Sequence, residues 1–218
     1  MANVSTLEAG ALEDLVFLTQ RVMADFRPAR TPSRLLYVFS NTPDNECSSF
    51  ERAALHEREG ETAAIGICSG ETAHGYAGFE HSLRQLQQLG VDASCVVPIL
   101  VEGTVNTYSE AQALARHCRT MAGDLEITAP PFHIVRAFMT TITALRNEGV
   151  RHRVFARMGT PVRWGDVVTH SQGTLRATRA DLLASELRRI DRYRDEEFGR
   201  LATAREVLEY LSWRDLAQ

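Results

Sequence analysis

Short apolar runs of strand length alternate with amphipathic stretches of helical length along most of the chain. The runs are residues 34–39 (Arg-Leu-Leu-Tyr-Val-Phe), 63–68 (Ala-Ala-Ile-Gly-Ile-Cys), 94–101 (Ser-Cys-Val-Val-Pro-Ile-Leu-Val), 124–128 (Asp-Leu-Glu-Ile-Thr) and 152–157. A short, continuously apolar run between turn residues is what a strand buried on both faces requires. Pro98 inside the third run predicts an edge position or a break, with the main strand ending near Val97.

Helices fill the intervals. Ser48 or Ser49 opens one that runs to about Glu59 and stops at Gly60; another covers 78–89, with Phe79, Leu83, Leu86 and Leu89 at helical spacing. Thr107-x-x-Glu110 reads as a capping box for a helix reaching about Met121, and Pro131 suits the first position of a helix that carries Phe132 to about Arg146. Strand and helix alternating with short turns implies parallel strands joined by right-handed crossovers. The fold class is therefore α/β: a Rossmann-like, doubly wound, mainly parallel sheet with helices on both faces.

The two ends of the chain differ from this pattern. Residues 7–26 form one amphipathic helix, with Leu12, Leu15, Val16, Leu18, Thr19, Val22, Met23 and Phe26 as its stripe, and the prolines from Pro28 to Pro32 end it. In the last third, Thr178-x-x-Asp181 and Thr203-x-x-Glu206 both start helices, and the charges from Arg188 to Glu197 form a solvated face. Three segments result: an N-terminal helix and linker over 1–31, a Rossmann-like domain over 32–158, and a helical extension over 159–218 packed on it.

Composition narrows the function classes. A net charge of −4 over 218 residues disfavours a general polyanion binder, and no nucleic-acid partner is expected. All 24 basic residues are arginine, which excludes a lysine Schiff base and a P-loop lysine. The cysteines, Cys47, Cys68, Cys95 and Cys118, form no C-x-x-C pair. With no secretory leader and no apolar stretch of roughly 20 residues, a cytoplasmic protein without a membrane span is expected.

Candidate chemistry gathers at the strand ends. Ser40-Asn41, Ser69-Gly70-Glu71, Glu102 to Thr107, and Thr128 to His133 each follow a strand and lead toward a helix N-terminus. In open α/β sheets that edge binds ligands, and helix N-termini favour anionic ones. His133 and Arg136 share a face of one helix turn, so with the terminal amides they suit a phosphate or carboxylate. The alternative is a boundary histidine beside an arginine that caps a loop. Glu102 can accept from a ribose hydroxyl, hold a metal, or bond the next helix's amides; Asn106 can touch ligand or fix its own turn. Glu71, Glu80 and Glu102 do not specify a metal by their spacing, and neither do His74 and His81; no metal site is assigned.

The two motifs Glu102-x-x-x-Asn106-Thr107-x-x-Glu110-Ala111 and Thr128-x-x-x-x-His133-x-x-Arg136-Ala137 together resemble the YdcF/SanA/ElyC-like family. Cys68-Ser69-Gly70-Glu71 is similar to that family's Ser-Gly-Gly turn, Glu80 to the acidic residue at its next helix start, and Gly90-Val91 to the turn after that helix. The resemblance covers about residues 34–146. The chain departs from the pattern at Ser40-Asn41, where the family has a glycine-rich turn, and at Glu71, where it has a second glycine.

The resemblance implies a Rossmann-like fold with a polar site at the strand-end edge. It further implies a soluble member that binds a nucleotide-like ligand such as S-adenosylmethionine. Ser40, Asn41, Ser69, Gly70, Glu71, Glu80, Asn106, Thr107 and Arg136 would bind the ligand, with His133 and Glu102 as candidate catalytic groups. Two alternatives stand beside it. One is a hydrolase or transferase on a phosphorylated or sugar-phosphate substrate, with His133 as acid or base. The other is an interaction module using the C-terminal helices. A homo-oligomer is compatible with each. No G-x-G-x-x-G turn follows a strand, which disfavours a dehydrogenase or a methyltransferase.

Overall fold

A computed structural model describes residues 9–28, 31–72, 75–170, 175–194 and 200–216. Five parallel strands form its main sheet: β1 (Leu35–Val38), β2 (Ile65–Cys68), β3 (Val96–Ile99), β4 (Leu125–Ala129) and β5 (Val154–Met158), in the order β3-β2-β1-β4-β5. β1, β2 and β4 are buried along their whole length, as their apolar runs require. β3 is an edge strand and includes Pro98, so the proline fits the edge position without ending the strand at Val97.

Seven α-helices are present among the described residues. α2 (Pro43–Arg58) and α3 (Phe79–Gln88) cover one face, where Phe50, Ala53, Ala54 and Leu86 pack on Leu36, Val38, Ile65 and Ile67. α4 (Thr107–Cys118) and α5 (Ile134–Asn147) cover the other, joined there by α1 (Ala9–Met23) and α7 (Ala204–Leu216). α1 buries Leu15, Leu18 and Val22, whereas Leu12 and Val16 are exposed; Phe26, also exposed, lies beyond its end at Met23, so the helix is shorter and its buried stripe narrower than the periodicity predicts.

Local chemistry moves several boundaries. α2 starts five residues before Ser48, with Thr42 in extended geometry as N-cap and Pro43 where no N–H is needed. Gly60, at a φ of 68°, follows its C-cap in the left-handed region that glycine takes without strain. The box that opens α4 is built one residue earlier than expected. Asn106 Oδ1 accepts from the amides of Tyr108 and Ser109 at 2.9 and 3.1 Å, and Ser109 Oγ accepts from the Asn106 amide at 3.0 Å. Pro131 lies in a turn, and α5 begins at Ile134.

The last third is not wholly helical. β6 (Val167–His170) and β7 (Leu175–Thr178) form a two-stranded antiparallel ladder ahead of α6 (Arg179–Arg192). The starts at Thr178 and Thr203 are as the sequence predicts: Thr178 Oγ1 accepts from the Asp181 amide, and Thr203 and Glu206 bond reciprocally. Of the charge run, Arg188 is exposed, while Glu197 lies outside the described residues. No helix among the described residues is long and apolar enough to cross a membrane.

The outer edge of β5 is closed by side chains. Val154 N–H donates to Tyr210 Oη, and Arg214 donates to the Val154 carbonyl; Ala156 N–H donates to Asp25, and Arg52 donates to the Met158 carbonyl. An edge strand so occupied offers no ladder to another chain.

Candidate functional site

The order in which successive strands are added reverses between β1 and β4. The chain leaves β1 toward α2 on one face and leaves β4 toward α5 on the other. The C-terminal ends of these two strands therefore bound the crevice where such sheets take ligands. Phe39-Ser40-Asn41 lines it from β1 and Pro130 to His133 from β4, and the Phe39 and His133 rings meet edge-on at 6.3 Å.

Three of the predicted residues come together here. Thr107 Oγ1 lies 3.3 Å and Arg136 Nη2 3.1 Å from His133 Nε2. A guanidinium only donates, so Nε2 must be the bare nitrogen and the proton sits on Nδ1. Burial, with Arg136 adding to it, lowers the imidazole to about 3, so it is neutral near pH 7. His133 Nδ1 is buried and has no hydrogen-bond partner among the described residues. The side chain thus offers a donor, and its one basic nitrogen is already engaged.

Arg136 is not open to solvent. Its Nε pairs with the Glu186 carboxylate of α6, and both side chains are buried. Glu186 Oε1 also lies 3.3 Å from His170 Nε2 and 3.4 Å from Arg189 Nη1. Burial opposes the Glu186 charge, but Arg136 and His170 hold its carboxyl well below the usual range. The His170 ring packs edge-on against Phe132 at 5.3 Å.

The same C-terminal segment occupies the first turn of α2. Thr42 Oγ1 and Asn45 Nδ2 donate to the Thr169 carbonyl at 2.7 and 3.0 Å, and Thr169 N–H donates to Asp44 at 2.8 Å. Arg179, also buried, donates to the Asp44 carbonyl, to Asn45 Oδ1, to Asp166 and to the Arg163 carbonyl. β6, β7 and α6 together form a roof over the strand-end edge.

At the end of β1 stands a carboxylate whose position the capping box does not predict. Glu110 does not reach back to the start of α4. It is buried and accepts from Tyr37 Oη at 2.8 Å and from the Ser40 amide at 2.9 Å. Burial pushes its carboxyl up to about 7, against the pull of those two donors. Cys68, close enough to feel that charge, is pushed up to about 12 chiefly by burial, so its thiol is not a nucleophile. A second polar pair, Glu46 and His81 at 2.5 Å, joins the first turns of α2 and α3.

The remaining predicted residues stand apart from this cluster. Glu102 is 80% exposed on its side chain, with Arg116 at 3.7 Å, so it does not face the crevice as an oriented carboxylate. Glu71 and Glu80 are exposed, and Asn106 is spent on the α4 cap. Asn41 is buried and donates to the Phe39 carbonyl, while Ser69 is half-buried. At Gly70 an added Cβ would meet Val105 Cγ2 at 2.6 Å, so packing against the loop before α4 requires glycine there. Among the described residues no three histidine, cysteine or acidic side chains gather as a metal set; His74 lies outside those residues.

A cavity of about 560 Å3 lies elsewhere, between α1, α7 and β5, lined by Phe17, Phe26, Phe155 and three arginines. Two of those arginines are bonded to carboxylates in its wall, Arg21 to Asp215 and Arg214 to Asp25. No protein-family model matches this sequence, and a search of curated proteins finds no significant match.

Proposed function

We propose that this chain is a YdcF/SanA/ElyC-like protein that binds an anionic or nucleotide-like small molecule, of the S-adenosylmethionine type, between the ends of β1 and β4. One observation carries the reading. Thr107 and His133, 26 residues apart in sequence, meet with Arg136 at the sheet's reversal point, and the group already seated on Arg136 there is a carboxylate. These are residues of the two motifs that underlie the resemblance. Ser40, Asn41 and Thr107 would meet the polar body of the ligand, His133 Nδ1–H would donate to it, and Arg136 would take its anionic group. A neutral histidine whose basic nitrogen already accepts from Arg136 suits binding better than proton abstraction, so binding is favoured over a hydrolase or transferase.

A thermal-shift screen against S-adenosylmethionine, nucleotides and sugar phosphates tests this. A ligand at 100 times its Kd stabilises the native state by about 2.7 kcal/mol. The expected hit is one that Thr107→Val or Asn41→Ala abolishes while the unliganded melting temperature holds. No shift with any of these compounds overturns the reading.

A further inference from the structure

We infer that Glu186 is an internal occupant of the ligand's anion position, and that β6, β7 and the start of α6 form a roof that an anionic ligand must displace. The inference rests on the ligand-binding reading above. Arg136 stands in the first turn of α5, at the edge where a parallel sheet takes ligands, yet its partner arrives from 50 residues further along the chain. Both helix starts that flank the crevice are engaged by this one segment: α2 by Thr169 and Arg179, α5 by Glu186. Three of the groups so engaged, the Thr42 hydroxyl, the Asn45 side-chain amide and the Arg136 guanidinium, are donors that an anionic ligand would otherwise take.

The roof's apolar anchorage near the crevice is small. Phe132, Val168 and Leu182 form a cluster separate from both main cores, with Ala177 and Leu183 against it. Further along α6, Ile190 belongs to the main core and Leu187 packs on it. The start of the helix is thus held by one small apolar cluster and by polar bonds, and these are the contacts that displacing the roof breaks. Glu186 also leaves a nearby donor unused. Its two oxygens lie on Arg136, His170 and Arg189, while His133 Nδ1, which points away from the nitrogen that Arg136 bonds, is buried with no partner among the described residues. A buried donor without a partner rewards any ligand group that reaches it.

The test uses the full chain and its Glu186→Gln variant with ADP and S-adenosylmethionine as probes. Calorimetry gives affinities, and amide exchange reports the roof. On binding either probe, the wild-type amides of 167–170 and 179–186 should exchange faster while those of 133–137 slow. Glu186→Gln should bind that probe at least tenfold tighter, because the competing carboxylate charge is gone. Binding with roof amides unchanged or slower overturns the inference, as does an affinity that is unchanged or weaker in the variant; the ligand-binding reading survives both results. Binding of neither probe to either protein overturns the inference, and the ligand-binding reading falls with it when the thermal-shift screen also gives no hit. Should the variant lose its native circular dichroism, the exchange pattern of the wild type decides alone.

Discussion

Glu110 is a carboxylate that the fold holds away from water, and its titration leaves a mark on stability. Its folded value of about 7 lies above the ordinary 4.5, so the native state binds the proton more tightly than the unfolded chain. That contribution is complete below about pH 4.5 and is lost as pH rises through 7. Glu110→Gln keeps the acceptor for Tyr37 and Ser40 and removes the titration. The variant's stability relative to wild type should therefore rise by about 3 kcal/mol between pH 4 and pH 8. Denaturant melts across that range check it, and parallel profiles would refute it. His133 and Glu126, a buried β4 carboxylate bonded to Arg27 and Arg157, act with the opposite sign, since both are lowered, to about 3 and about 2, and lose their contribution as pH falls. Thr107, His133 and Arg136 were legible as candidates because short-range spacing put them at helix starts. Glu186 was not, because its role comes from a partner 50 residues away, and a glutamate in a charged helix reads as solvated.

Among elements, the β6–β7 ladder is the one the sequence concealed. Its strands are four residues each, and β7 is exposed over half its length. A lone two-stranded ladder is marginal in water and draws its order from what it docks against. Val167-Val168-Thr169, with Gly173 shortly after, is the local signal that points to it. Arg179 is the docking residue, with four acceptors drawn from α2 and from the loop before β6. Arg179→Ala should speed amide exchange in β6 and β7 at least tenfold and leave β1 and β4 unchanged; equal acceleration everywhere would mean that the ladder is part of the global unit. The main strands, by contrast, were legible from apolar runs alone. The start of α4 shifted by one residue because the Thr107-x-x-Glu110 spacing matches a capping box, whereas asparagine is the stronger N-cap and Ser109 completes the box with it.

For the molecule as a whole, described residues of the segment after β5 share the main core. Ile190, Leu201, Val207 and Leu211 belong to the same core cluster as β1, β4 and α5, and α7 packs along α1. Leu211→Ala should cost about 2–5 kcal/mol and lower Tm by roughly 2–4 °C for each of those in a chain of this size. Calorimetric melting measures it, and a loss under 1 kcal/mol would place α7 outside the cooperative unit. The closed edge of β5 has a further consequence, in the time order of synthesis. Asp25, from the turn after α1, is made early, but Tyr210 and Arg214 emerge only after about 55 more residues have followed β5 out of the ribosome, at about 5–20 residues per second. For those seconds the fifth strand shows open amides and carbonyls at 154, which makes the nascent chain, rather than the finished protein, the form most exposed to strand-to-strand sticking and to chaperone capture.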